Sequence, residues 1–167
     1  TEYLIGKGHK NIGFIGVYEE DRSVGLEREN GYIAALKEND LEVDMENLKL
    51  GDFSYESGYE LTKKLIKKKN IPTAIFAVTD NLAIATIDCL KDNGLNVPED
   101  VAVVSIGDTR ISQVVSPKLT TIHYHYKTSG RKSAEIMIEL LKSGIKTSKT
   151  IKKDIKLSYR LIERNSV

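Results

Sequence analysis

A carboxylate, a guanidinium and an aromatic ring brought to one rim can grip a polyhydroxylated ligand. The carboxylate accepts from neighbouring hydroxyls, the planar guanidinium donates in its fork, and the ring covers the apolar face of a sugar. The chain offers these residue types directly after its apolar runs. Thr79-Asp80-Asn81 follows Ala74–Val78, Asp108 follows Ser105-Ile106-Gly107, and Asp52-Phe53-Ser54 follows Leu50-Gly51; the polar loop Tyr18–Ser23, with Arg22, leads on to Arg28. Plain structural roles compete at several of these positions. Asp80 reads first as a helix N-cap, Asp52 as a turn residue and Ser54 as a cap, and Arg28 suits a surface ion pair worth little energetically. Asp108, between a hydrophobic strand and Thr109, is less readily explained that way.

Other chemistries fail on spacing. Gly6-Lys7-Gly8 suggests a dinucleotide loop, but Asn11 stands where that fingerprint wants glycine, and the glycines precede a strand when they should follow one. No glycine is followed at the phosphate-loop spacing by a lysine with serine or threonine, and no G-x-S-x-G elbow exists. His123 and His125 would share one face of a strand, yet no carboxylate or thiol pattern completes a metal site around them, and His9 stands apart. The single cysteine, Cys89, lies in the helix-like run Ile84–Leu90 and reads as a small buried thiol. No nucleophile is paired with a base, so neither an enzyme nor a cofactor or metal is expected.

The elements that must position these residues alternate. Ile12–Val17, Ala74–Val78 and Val101–Ile106 are apolar almost throughout, as expected of parallel strands covered on both faces, with a weaker strand at Asn47–Gly51. Between them lie helical patterns. One follows Ser54 with Gly58, Leu61 and Leu65 on one face; one follows Asp80 with Ala83, Ile87 and Leu90 aligned and Gly94 as its stop; a third spans Arg28–Lys37 around Tyr32 and Leu36. Strand–helix repetition of this kind predicts an α/β doubly wound parallel sheet. After Pro117 the rhythm changes: Leu119–Tyr126 alternates, a helix carries Ala134, Ile138 and Leu141 on one face and ends at Gly144, and Lys149–Arg164 reads as extended.

Composition agrees with an ordinary globular chain. Its 167 residues are 40% hydrophobic and 29% charged, with a formal net charge of +1 that marks no nucleic-acid-binding surface. The lysine runs Lys67-Lys68-Lys69 and Lys152-Lys153 read as solvated surface. No apolar stretch is long enough to span a bilayer, and Thr1–Gly6 lacks a signal-peptide pattern, so a cytoplasmic protein without membrane partners is expected.

The same segments, in order, resemble the LacI/GalR (lactose-repressor) family of transcription regulators nearly end to end. The resemblance rests on Gly8-His9-Lys10-Asn11-Ile12 with Phe14-Ile15-Gly16, Glu27-Arg28 leading to Gly31-Tyr32, and Gly51-Asp52-Phe53-Ser54. It continues through Pro72–Ala77 with Asp80-Asn81-Leu82-Ala83, Val97-Pro98-Glu99-Asp100-Val101, Leu119-Thr120-Thr121-Ile122 and the closing Arg160–Val167. Each motif is weak alone; their order and spacing together are specific.

The resemblance implies a two-lobed, periplasmic-binding-protein-like fold that holds a small-molecule effector, a sugar or related metabolite, between its lobes. It implies effector contacts from Arg28, Asp108 and Phe53, with Arg22, Thr79 and Tyr124 at more variable contact positions. Tyr124 and Tyr126 depart from the glutamine- or proline-bearing sequence common in the family. It implies one complete lobe, residues 10–123 with 151–167, and segments of an incomplete one, 1–9 with 124–150. Homodimerisation is expected, and DNA contact only through a helix-turn-helix that this chain lacks; because one lobe is incomplete, weak or no effector binding is expected of these 167 residues alone. A transport-type sugar-binding protein shares this fold and is the alternative.

Overall fold

The computed structural model describes residues 1–142 and 155–167. At its centre is a sheet of β1 (Ile12–Val17), β2 (Leu48–Gly51), β3 (Ala74–Ala77), β4 (Ala102–Gly107), β5 (Thr120–Tyr124) and β6 (Tyr159–Ile162). The strand order is β2-β1-β3-β4-β5-β6. β1 to β5 are all parallel, while β6 runs antiparallel to β5 and pairs Thr121 with Ile162 and Tyr124 with Tyr159. β1 and β3 are buried along their whole length. Their unbroken Ile, Phe, Val and Ala sequences therefore meet apolar neighbours on both faces, as a central parallel strand requires.

Alternation along each strand sends side chains to two faces, and each face has its helices. Toward one points Phe14, whose ring lies 4.9 Å from that of Tyr32 in α2 (Glu27–Glu38) and 5.4 Å, edge-on, from Phe76. The Tyr32 hydroxyl, otherwise stranded in the core, donates to the Ile12 carbonyl at 2.8 Å. Toward the other face points Ile75, beside Leu65 of α3 (Tyr55–Ile66), which packs against α4 (Asp80–Asp92). Gly58 permits that approach, because a Cβ there would stand 3.0 Å from the Ala85 Cβ and 3.1 Å from the Leu82 Cα. Thr62 and Thr86 then bond across the buried seam at 3.0 Å.

Local signals place the helix ends. Ser54 caps α3 by accepting from the Ser57 N–H at 3.1 Å, and Asp52 accepts from the Ser54 N–H at 2.8 Å as a turn residue. α4 ends in a Schellman arrangement: Gly94 sits at φ 75 and Leu95 N–H reaches back to the Leu90 carbonyl at 2.9 Å. The N-cap assignment of Asp80 is corrected. Thr79 is the cap, accepting from the Leu82 N–H at 3.3 Å, while Asp80 begins the helix with its carboxylate turned inward to other donors.

The remaining helices differ sharply in what they bury. Short α1 (Glu2–Gly6) places Leu4 in the sheet's core, fully buried, and Tyr3 donates to Glu163 at 2.9 Å. α5 (Tyr126–Lys142) buries none of its residues: Ile138 and Leu141, expected to share a face with Ala134, are exposed in this chain. The expected helix end at Gly144, the start of the extended stretch at 149–154 and Lys152-Lys153 lie outside the described residues.

Candidate functional site

In an open parallel sheet, a crevice opens beyond the carboxyl ends of neighbouring strands whose connections leave in opposite directions. The order β2-β1-β3 puts that point between β1 and β3. Arg28, in the first turn of α2, reaches across it. Its Nη1 donates to the carbonyl of Val78, the residue after β3, and its Nη2 donates to the Tyr124 hydroxyl at 3.3 Å. The guanidinium also lies 5.7 Å from the centre of the Tyr124 ring, within cation–π range. Among the described residues no carboxylate pairs with Arg28.

Arg28 and Tyr124 open onto a cavity of about 630 Å³ that Ser23, His125, Tyr126, Ser129 and Ser158 also line. α5 begins here, so its first turn forms part of the wall. A second cavity of about 330 Å³ lies behind Arg28, between the start of α1, α2 and the sheet side chains Phe76, Ile106 and Ile122.

The other expected site residues do not gather at this cavity. Arg22 stands in a single π-helical turn, Arg22–Leu26, with its side chain 84% exposed and its Nε 3.4 Å from Glu27. The Thr79 hydroxyl is engaged as the α4 cap. Phe53 is exposed, and its carbonyl accepts from Asn81 Nδ2 at 2.8 Å, which ties its loop to the start of α4.

Asp108 is fully engaged. Its Oδ1 accepts from Arg164 Nη2 at 2.5 Å, its Oδ2 lies 2.9 Å from His123 Nδ1, and only 12% of its side chain is exposed. Arg164 is fixed in turn by the Leu119 carbonyl at 2.7 Å. Asp108 adopts φ 53, in the left-handed region that aspartate visits more readily than most residues. Burial pushes its carboxyl upward, but hydrogen bonds from Arg164 and His123, with their charge, outweigh that and hold it below the ordinary range.

Beneath Asp108 lies a residue whose role sequence reasoning missed. Asp80 is 2% exposed, and its carboxylate accepts four hydrogen bonds. They come from the Ser105 hydroxyl at 2.5 Å, the Thr121 hydroxyl at 2.8 Å, and the Thr109 N–H and hydroxyl at 2.7 Å each. Gly107 makes room, since a Cβ there would stand 2.9 Å from Asp80 Oδ2. Asp80 thus ties α4 to β4, β5 and the loop carrying Asp108. A second missed carboxylate is Glu29, beside Arg28 in α2. It is 8% exposed, its Oε2 has no hydrogen-bond partner, and burial together with Glu19 raises its pKa.

His123 and His125 do share a side, with ring centres 5.4 Å apart, but His123 serves Asp108. Among the described residues no group of three or more histidine, cysteine or acidic side chains is placed to hold a metal ion. Cys89 is buried, and desolvation pushes its thiol up to about 11, which suppresses thiolate chemistry.

A parallel sheet wound on both faces, with a polar crevice at its switch point, is the architecture of one lobe of a periplasmic binding protein. The whole chain, residues 1–167, matches the periplasmic binding protein-like domain, and the chain belongs to that family. Its relatives are regulators of the LacI type. It is 37% identical over 142 residues to the HTH-type transcriptional repressor PurR of Actinobacillus pleuropneumoniae serotype 3 (strain JL03), covering 85% of this chain and 42% of that protein. It is 38% identical over 122 residues to catabolite control protein A of Priestia megaterium, covering 73% of this chain and 37% of that protein. The structure of the transcriptional regulator CelR in complex with cellobiose superposes with a TM-score of 0.90 at 28% identity, over 99% of this chain and 49% of that one. The chain thus spans less than half the length of these relatives.

Proposed function

We propose that this chain is part of the effector-binding region of a DNA-binding transcription repressor, and that its effector, a sugar or related small metabolite, is gripped at the Arg28–Tyr124 rim. One observation carries this reading. A guanidinium with no carboxylate partner among the described residues stands at the switch point of the sheet, oriented by Val78 and Tyr124 and facing a roomy cavity. Relatives named as transcriptional repressors favour a regulator over a transport protein. The reading includes a non-catalytic, cytoplasmic, homodimeric protein whose DNA contacts lie in a helix-turn-helix outside this chain.

Of the expected contacts, Arg28 and Tyr124 have the strongest geometric support. Phe53, Arg22, Thr79 and Asp108 belong to the proposed site as its periphery, reached only if the effector or a second lobe bridges from the cavity. The division into residues 10–123 with 151–167 and 1–9 with 124–150 is likewise a proposal. The burial of Leu4 in the sheet's core argues for placing α1 with the first group. Effector binding would shift a population between DNA-binding and non-binding forms by the effector's differential affinity for them, about 1–3 kcal/mol.

The test is a thermal-shift screen of sugars and sugar derivatives on the full-length protein. An effector present at a hundredfold its Kd should add about 2.7 kcal/mol of stability, and Arg28→Ala should remove most of that gain. A gain unchanged in Arg28→Ala would take Arg28 out of the site, and a ligand consumed by the wild type but not by this variant would make the protein an enzyme.

A further inference from the structure

The buried face of α2 is laid out for apolar side chains, and one position breaks it. Glu29, Tyr32 and Leu36 follow at helical spacing on that face, and all three are buried. Tyr32 has its hydroxyl on the Ile12 carbonyl, whereas Glu29 has Oε2 without a hydrogen-bond partner among the described residues. A charged carboxylate in such a place is costly, and a protonated one much less so.

The elements around Glu29 bring it no cation. On the α2 side of the sheet, β1 and β2 present Phe14 and Gly16 in register with Leu48 and Leu50, while Lys49 points to the opposite face. Arg28 donates to Val78 and Tyr124, and Arg22 lies beside Glu27. Asp21 accepts from the Val24 N–H, and Asp52, just past β2, accepts from the Ser54 N–H. Burial raises the Glu29 pKa, and the charge that adds to the effect is another acid, Glu19, in the loop after β1.

That loop is lightly held. Tyr18, Glu19 and Glu20 are exposed, and Tyr18 is tied back by its N–H to the Gly51 carbonyl at 2.9 Å. In the π-helical turn that follows, the Gly25 and Leu26 N–H groups both reach the Asp21 carbonyl, at 2.7 and 3.2 Å. Gly25 comes so close to the Tyr18 carbonyl that a Cβ there would collide with it. The loop therefore meets the start of α2 at Gly25, about one turn before Glu29.

We propose that Glu29 is a proton-operated latch on residues 18–26. With a proton on its carboxyl group, Glu29 packs beneath the segment and the loop stays seated. Release of that proton to solvent sets Glu29 and Glu19 against each other and frees the loop. The proposal goes beyond the effector reading and does not depend on it.

The experiment is a pH titration of the full-length protein by NMR, from about pH 4 to about pH 8. It follows the backbone amides of Val24 and Gly25, with amide-exchange protection at Gly25 and Leu26 corrected for the intrinsic pH dependence of exchange. The expected result is a titration step with a midpoint above the ordinary glutamate value of about 4.3, and lower protection on its alkaline side. The two are linked: a midpoint one pH unit above the ordinary value requires about a tenfold loss of protection across the step. Glu29→Gln should abolish the step and keep the loop protected throughout. Glu29→Leu, the kind of side chain this helix face calls for, should behave in the same way. Glu19→Gln should keep the step and lower its midpoint.

A step that survives in Glu29→Gln belongs to another acid, Asp21 first among them, and would overturn the proposal. So would a wild-type protein with no step in this range, or a step lost in Glu29→Gln that brings no change in protection at Gly25 and Leu26. Failure of both Glu29 variants to fold would show that the fold needs the charged carboxylate, which is the opposite of a latch closed by a proton.

Discussion

Two arginines beside one sheet show how differently its two halves are built. Arg164 arrives from the last segment of the chain and is enclosed: Asp108, the Leu119 carbonyl and Ser112 hold it. Arg28 arrives from α2 and, among the described residues, is held by a carbonyl and a phenol, beside a cavity. The first half, over β4 and β5, is a closed network of acids matched to donors. The second, over β1 and β3, has among the described residues a cation beside hydroxyls, and a buried acid, Glu29, whose Oε2 has no hydrogen-bond partner there. A buried polar network rigidifies when every member is satisfied, so the closed half forms the frame, and the open half is where ligand binding is proposed.

The strongest way to break the comparison is to open the closed half. Asp80→Ala would leave the Ser105, Thr109 and Thr121 donors unpaired around a small cavity, and the expected loss is about 3–5 kcal/mol of stability by urea denaturation. Asp80→Asn should lose less, because the amide keeps one acceptor oxygen. A loss under about 1 kcal/mol in Asp80→Ala would show that ordered water replaces the carboxylate and that the network is not the frame.

Next comes the pair itself. Asp108→Ala strands a largely buried guanidinium and should cost about 2–3 kcal/mol near neutral pH. Because the folded-state pKa of Asp108 is depressed, its contribution is present above the unfolded value of about 3.9 and is lost as pH falls through the lower folded value. The wild type and the variant should therefore converge in stability in strong acid. The same variant sharpens the functional contrast: if only the open half takes ligand, a ligand-induced shift at Tyr124 should persist in Asp108→Ala, and its disappearance would return Asp108 to the site.

Much of this frame is legible in the sequence, for physical reasons that also explain what is not. β1, β3 and β4 announce themselves because burial on both faces leaves no polar interruptions, and α3 shows its Gly58–Leu61–Leu65 face because the helical period brings those residues together. The position of Arg28 could be anticipated only from the family resemblance, although its place at a strand-to-helix turn is visible. Asp80 could not be distinguished from a simple cap. A short acid after a strand looks the same in either role, and its partners Ser105, Thr109 and Thr121 lie 25, 29 and 41 residues away. Arg164 meets Asp108 across 56 residues, a pairing that only the antiparallel return of β6 beside β5 creates. For α5, the amphipathic period predicts a helix but says nothing of what its apolar face meets, and within the described chain that face stays exposed.

The smallest expected effect has the opposite sign and belongs to the open half. Glu29 follows Arg28 in sequence but faces inward, with Oε2 unpartnered and Glu19 nearby. Its raised folded-state pKa means that the charged form is penalised on folding. The penalty is complete above the folded pKa and vanishes below the unfolded value of about 4.3. Glu29→Gln should accordingly stabilise the protein by about 1 kcal/mol near neutral pH, with the gain fading as pH drops toward 4, whereas Asp108→Ala destabilises at neutral pH and converges in acid. Two carboxylates on one rim would thus produce stability differences of opposite sign over the same pH range. A Glu29→Gln protein less stable than wild type at neutral pH would mean that this carboxylate has a partner in solution, and that the open half is more completely matched than its geometry indicates.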